Sequence, residues 1–236
     1  MMIFSAHQPQ YLPWLGYFDK IAKSDCFVFL DRVQYKHREY QNRNMIRARD
    51  RSIWLTVPVL SKGLRHQLIS EVRIDRSVDW QGRHWKSLKA WYARAPHFKE
   101  YAPFFEDTFT GRRWDTLMDI NVYLIRYFLE QFEITTPLYF ESELGTGQTG
   151  TERILEIAKK LNVQAYLSGA GGKDYLEEQR FIQEGVELRY QNFVHPAYEQ
   201  QCAPGKNDFI PNMSALDLLF NEGRRSKDIL VREVKK

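Results

Sequence analysis

Hydrophobic positions along this chain alternate between short unbroken apolar runs and longer stretches with an apolar residue every third or fourth position. These are the signatures of buried strands and of amphipathic helices. Residues 3–6 (IFSA) read as a short buried strand. Pro13 follows, where a first helical turn tolerates proline, and residues 14–23 carry helical spacing. Ser24 and Asp25 end that helix, and the apolar run 26–30 leads as a second strand to Asp31. A strand–helix–strand unit of this length predicts parallel pairing with a right-handed crossover. Further strands are predicted over 53–57, stopped by Pro58, and over 68–74, where the character alternates.

The middle is helical. Asp79 is a candidate cap for a helix through Tyr92, Pro96 and Gly111 punctuate, and 115–132 repeats apolar residues at helical spacing. Strands at 138–140, 165–168 and 186–192 then alternate with helices at 151–161 and 173–183. Ser214, with Asp217 three residues on, predicts a capped helix through Phe220 that ends at Gly223. The expected fold is α/β, a mostly parallel doubly wound sheet with a helical insertion in the middle of the chain. We read 1–223 as a single domain with the insertion at about 79–134, and 224–236 as a charged C-terminal tail that frays.

Composition narrows this picture. The chain has 236 residues, 43% hydrophobic and 27% charged, which suffices for a core and argues against disorder. No stretch reaches the roughly 20 apolar residues of a spanning helix, and the N-terminus lacks a signal peptide's basic and apolar regions, so a cytoplasmic location without membrane contact is expected. Cys26 reads as a small core residue, and Cys202 lies in a polar loop with nothing beside it to activate a thiol. The formal charge is only +4, but 32–51 holds seven basic and two acidic residues, a local net of +5. Such a run is either a solvated face or an anion-binding surface.

Three segments carry candidate chemistry. HQPQYLPWLGYFDKI (7–21) follows a buried strand and opens a helix, so its polar groups should emerge at the carboxyl edge where parallel sheets bind ligands. His7 can act as base or acid, Gln8 and Gln10 offer amide donors and acceptors, and Tyr11 and Trp14 supply flat walls. The second segment runs from Asp31 through Gln34 and Lys36 to Asn42, Arg43, Asn44 and Arg47. Asp31 ends the strand parallel to that of His7, where a carboxylate can orient an imidazole, and the cations can hold phosphate oxygens. Alternatively, Asp31 salt-bridges Arg32 on a loop. Third, Ser168, Gly169, Gly171 and Gly172 form a strand-to-helix turn ahead of Tyr175, which either cradles an anion or is only a turn. The glycine-rich 145–150 reads as a loop or a mobile lid. No histidine spacing suggests a metal site, and no cofactor is required.

HQPQYLPWLGYFDKI, DRVQYKH, QNRNMIR, WLTVPV, YLSGAGGKDYL and NMSALDLLFNEG, in this order, resemble the WbqC-like family from residue 7 to 223. That family takes its name from surface-polysaccharide (O-antigen) gene clusters, and some phage relatives are linked to thymine hypermodification. The resemblance implies a transferase that joins an amino acid such as glycine, through its amine, to pyrophosphorylated 5-hydroxymethyluracil in DNA. A nucleotide-activated sugar is the alternative acceptor. It implies His7, Asp31 and Gln8 as catalytic candidates, with the pyrophosphate held by Lys36, Arg43 and Arg47 together with the glycine turn, and magnesium at most arriving with that substrate. A displayed base would stack on Tyr11 or Trp14, and the basic run would follow DNA phosphates. The first segment is also similar to the HxGH motif of nucleotidylyltransferases, with Tyr17 where the second histidine would stand.

Overall fold

Strand β1 (Ile3–His7) pairs in parallel with β2 (Cys26–Phe29) on one side and with β6 (Ala165–Ser168) on the other. β5 (Leu138–Phe140) extends the sheet beyond β2, and β7 (Glu187–Tyr190) extends it beyond β6. The order is β5-β2-β1-β6-β7, and every pairing is parallel. A computed structural model describes residues 1–64, 66–201 and 209–231.

Both faces of the sheet are covered, which is why its strands read as continuous apolar runs. Phe4, Ala6, Val28 and Tyr166 turn to one face and pack with Ile154, Leu155 and Ile157 of α6 (Gly150–Leu161). Phe27 and Phe29 turn to the other. There they meet α1 (Leu15–Ala22), α4 (Leu117–Gln131) and α8 (Ala215–Glu222) in the larger core. The expected α/β sheet, mostly parallel with helices on both sides, is therefore observed. From β1 the chain adds β2 and β5 in one direction, then returns to lay down β6 and β7 in the other. Neighbouring connections diverge between β1 and β6 and leave a crevice outside the strands' carboxyl ends.

Several local expectations are corrected. The strand expected over 53–57 lies outside the main sheet. β3 (Arg43–Ala48) and β4 (Arg51–Thr56) form a separate antiparallel hairpin, with Met45 opposite Trp54. β3 was not anticipated because its charged residues mask the alternation. Residues 68–74 are not a strand: the Glu71 carboxylate accepts from the Leu68 amide at 2.9 Å and closes a 3-10 turn over Ile69–Glu71. Between the hairpin and β5 lie α2 (Trp80–Tyr92), α3 (Phe98–Glu106) and α4, and Asp79 caps α2 by accepting from the Gly82 amide at 3.0 Å.

The helix expected over 173–183 is two pieces, a 3-10 turn at Ala170–Asp174 and α7 (Glu178–Gln183). Ser214 caps α8, but Asp217 takes no part in the cap. Its carboxylate accepts from Tyr92, Tyr198 and Gln200 instead. The segment after Gly223, expected to fray, forms a 3-10 turn and α9 (Ser226–Val231), which buries Ile229 and Leu230 in the larger core. Cys202 and residues 232–236 lie outside the described residues. Among the described residues no helix is long and apolar enough to cross a membrane.

Candidate functional site

The crevice beside β1 encloses about 370 Å³. His7 closes β1 at its floor, and Trp14, Gly16, Tyr17 and Lys20 line one wall. Gly169 to Gly171, directly after β6, and Gln191 to Phe193, directly after β7, line the other. Trp14 stands edge-on to Phe193, with ring centroids 5.3 Å apart. Gly16 makes room for that indole, because a Cβ there would collide with it. The Gln191 amide donates to Asp19 at 2.6 Å and to the Gly16 carbonyl at 2.9 Å, which ties the segment after β7 to α1.

Lys20 and His7 set the electrostatics. Seven of the eight residues of α1 are buried, and Lys20 is among them at 3% exposure. It lies three residues from Tyr17 and four from Gly16, so helical geometry puts it on the face that lines the crevice. Its ammonium donates to the Ala6 carbonyl at 3.1 Å. Among the described residues no carboxylate pairs with it, and the adjacent Asp19 side chain is engaged by Lys23 at 2.8 Å. Burial lowers the Lys20 amine to about 7. Burial, and secondarily the charge on Lys20, push His7 down to about 3. His7 Nδ1 lies 3.1 Å from the Gln8 carbonyl. A carbonyl only accepts, so Nδ1 carries the proton and Nε2 keeps its lone pair. Tyr17 meets the His7 ring edge-on and donates to the same carbonyl at 3.3 Å.

The other candidates divide. Trp14, Gly169 and Gly171 line the crevice with His7. Gln8 is not among the lining residues, but its backbone carbonyl accepts from Tyr17 and His7, which are. Gly172 is buried, and a Cβ there would strike the Ser168 hydroxyl, so it answers to packing. Ser168, also buried, donates to the Gly169 carbonyl at 3.1 Å, while Tyr175 is 61% exposed.

Tyr11 is not a stacking platform. It is fully buried, and its hydroxyl lies 2.8 Å from His84 Nδ1. Gln10 is buried as well, with its Oε1 unpartnered. Arg47 is not a free phosphate ligand either. It is buried and donates to Gln200 at 2.6 Å and to the Arg49 carbonyl at 2.9 Å. Arg43 lies over the Trp54 ring at 4.3 Å. Asn42 and Asn44 donate to the Val57 and Leu12 carbonyls at 2.8 and 2.7 Å, and both stitch backbone. Lys36 and Gln34 are exposed, and Gln34 bridges to Leu68.

Asp31 departs most from expectation. Its strand is the neighbour of β1, yet its carboxylate accepts from the Ser142 amide at 2.9 Å and the Ser142 hydroxyl at 2.5 Å, and it does not line the crevice. It thereby caps the short helix α5 (Glu141–Leu144) from across the sheet edge. Asp31→Ala should therefore cost about 1–2 kcal/mol of stability, as loss of a cap does, and leave turnover per folded molecule unchanged. Thermal melts alongside initial rates would check this. The 145–150 loop is anchored, since the Gly147 and Gln148 amides both donate to Glu156.

Lys20, Gln191 and Phe193 were not singled out in the sequence. For Lys20 a signal existed, a cation inside a helix that is otherwise almost wholly buried. The residues after β7 carry no local mark, because only the sheet order brings them to β1.

The WbqC-like protein family model matches residues 8–229. An uncharacterized protein of Mycobacterium tuberculosis, Rv1507c, is 34% identical over 225 residues, covering 94% of this chain and 95% of the relative. No solved structure matches the chain significantly.

Proposed function

This chain belongs to the WbqC-like protein family, and on that premise we propose that it is a transferase joining the amine of an amino acid to a pyrophosphate-activated carbon. The reading is carried by Lys20, a buried ammonium with no carboxylate partner among the described residues, inside the crevice where the strand order reverses. A buried charge without a counter-ion is costly, and the site gains what a bound anion restores. Pyrophosphate on the acceptor is such an anion. Gly169 and Gly171 let it approach the chain closely, since a Cβ at Gly171 would meet nothing within 4 Å.

His7 supplies the proton acceptor. The amine nitrogen must lose a proton as its lone pair forms the C–N bond, and Nε2 is the free lone pair on the crevice floor. With the crevice empty, Lys20 depresses that base. An anion paired with Lys20 removes that share of the depression and leaves the larger share that burial imposes, so His7 gains basicity when acceptor binds. Asp31 and Arg47, bound elsewhere, have no part in this scheme. Two acceptors suit it, pyrophosphorylated 5-hydroxymethyluracil in DNA and an activated sugar. The exposed Lys36, Arg38, Arg49 and Arg51 are the groups a DNA acceptor would use.

The test is mass spectrometry after incubation with glycine and each acceptor in turn, where one amino-acid residue should be gained as the phosphate leaving group is released. His7→Gln should lower that rate by about 10²–10⁴-fold while pyrophosphate binding persists. Failure to find the amino acid in place of the phosphate leaving group on either acceptor would refute the transferase reading.

A further inference from the structure

A second cleft, of about 550 Å³, shares Trp14 with the first, so that this residue lines both cavities. Tyr40 provides a second aromatic wall, Met45 and Met213 provide polarizable apolar surface, and Ser52 and Asn212 add polar side chains. The elements around it are pinned together. Trp14 bridges to Ser214, the Ser214 amide donates to the Met45 carbonyl at 2.8 Å, and the Ala215 amide donates to the Pro13 carbonyl at 2.8 Å. Asn212 holds a left-handed backbone conformation (φ 61°), which few residue types tolerate as well as Asn. No part of the transfer scheme uses this cleft.

Flat aromatic walls, a soft apolar floor and a few polar groups suit a planar heterocycle with hydrogen-bonding edges. The cavity with the unpaired ammonium shares Trp14 with this cleft. From this juxtaposition we infer that the second cleft receives the nucleobase of a nucleoside diphosphate whose phosphates reach Lys20, so that the acceptor carbon is activated by a nucleotide. The inference rests on the transferase reading above and names its leaving group. The amine lone pair forms the C–N bond as the C–O bond breaks. The nucleoside diphosphate departs with the bonding electrons, and the amine proton passes to His7 Nε2 and then to water. A DNA acceptor would be left with the exposed Lys36, Arg38, Arg49 and Arg51, because Arg47 is buried and Arg43 covers Trp54.

Calorimetric titration of the full-length protein with inorganic pyrophosphate and with ADP, GDP, CDP, UDP and dTDP tests this. At least one nucleotide should bind about tenfold or more tightly than pyrophosphate, the increment that stacking a base on aromatic side chains provides. Tyr40→Ala and Met45→Glu, on the partly exposed hairpin side, should erase that increment and leave pyrophosphate affinity intact. If pyrophosphate binds as tightly as every nucleotide, or if the increment survives both substitutions, the nucleobase assignment falls while the anion site stands. If a pyrophosphorylated hydroxymethyluracil oligonucleotide outbinds all the nucleotides, the assignment falls in favour of DNA. If neither pyrophosphate nor any nucleotide binds, the transferase reading falls with it.

Discussion

Lys20→Met is expected to lower turnover by about 10²–10³-fold, as loss of one preorganised electrostatic contact to developing negative charge does, and to leave the protein folded and more stable near neutral pH. The two effects have one cause. Lys20 is buried without a carboxylate partner among the described residues, so its ammonium is held at the expense of the fold and is useful only when an anion arrives. Methionine keeps the length and apolar character of the side chain and removes the charge.

The sign can be followed through pH. Burial lowers the folded-state value to about 7 from the usual 10.5. Between those values the unfolded chain binds the extra proton, so wild-type stability rises as pH climbs through that window. Below about pH 7 the full penalty applies. The gain from Lys20→Met should therefore be largest at pH 6–7 and vanish toward pH 10.5, a trend that denaturant titrations at several pH values would show. A variant that is uniformly less stable and still turns over would mean that Lys20 serves packing alone.

Asp217→Ala should be the most destabilising single substitution of a polar residue, lowering stability by about 3–5 kcal/mol. At roughly 2–4 °C per kcal/mol for a chain of this size, the midpoint should fall by about 6–20 °C. Asp217 is fully buried and accepts from the Tyr92 hydroxyl at 2.7 Å, the Tyr198 hydroxyl at 2.7 Å and the Gln200 amide at 2.8 Å. Through Gln200 and Tyr92 the network reaches the Arg47 guanidinium and the Arg47 backbone amide. It thus joins α8 to β3 and α2. Alanine strands the buried Tyr92 hydroxyl and the half-buried Tyr198 hydroxyl and leaves the Gln200 amide its bond to the Ile210 carbonyl, and each lost bond forfeits what water would have given.

Burial raises the Asp217 carboxyl above its ordinary range, and this outweighs the hydrogen bonds and Arg47, which pull it down. The acceptor oxygens therefore matter more than the negative charge. Asp217→Asn, which keeps one of them, should lose well under half as much. Thermal melts of the two variants at one pH would separate the cases, and equal losses would show that the charge is what the network needs.

Much of the fold was readable in the pattern of apolar residues. IFSA, CFVF and AYLS are unbroken because both faces of a parallel sheet are covered, and that local signal survives in any context. The first segment also marked its own place at a strand's carboxyl end, since strand, turn and helix follow one another within about twenty residues. His7, Trp14, Gly169 and Gly171 accordingly line one crevice at the carboxyl edge of the sheet. The site's electrostatic partners were less legible. Asp31 and His7 terminate adjacent strands, and adjacency in the sheet suggested a pair. Which way a side chain turns at a strand's end depends on what packs beside it, and Ser142 of α5, more than a hundred residues later, took the carboxylate.

Arg47 makes the same point in reverse. In a run of charges it looked like its neighbours, and alternation puts it on the half-buried face of β3 with Arg43 and Met45, yet its bonds to Tyr92 of α2 and to Gln200 hold it buried, while Arg49 and Arg51 remained exposed. The sequence by itself therefore determined the strands of the parallel sheet and the carboxyl edge to which the first segment belongs, because these follow from periodicity within short windows. Only the tertiary structure decided which charged groups face that edge. The reversal of strand order brings Lys20, Gly169 and Phe193 to one crevice from three distant segments, and burial then decides which of them is left without a partner.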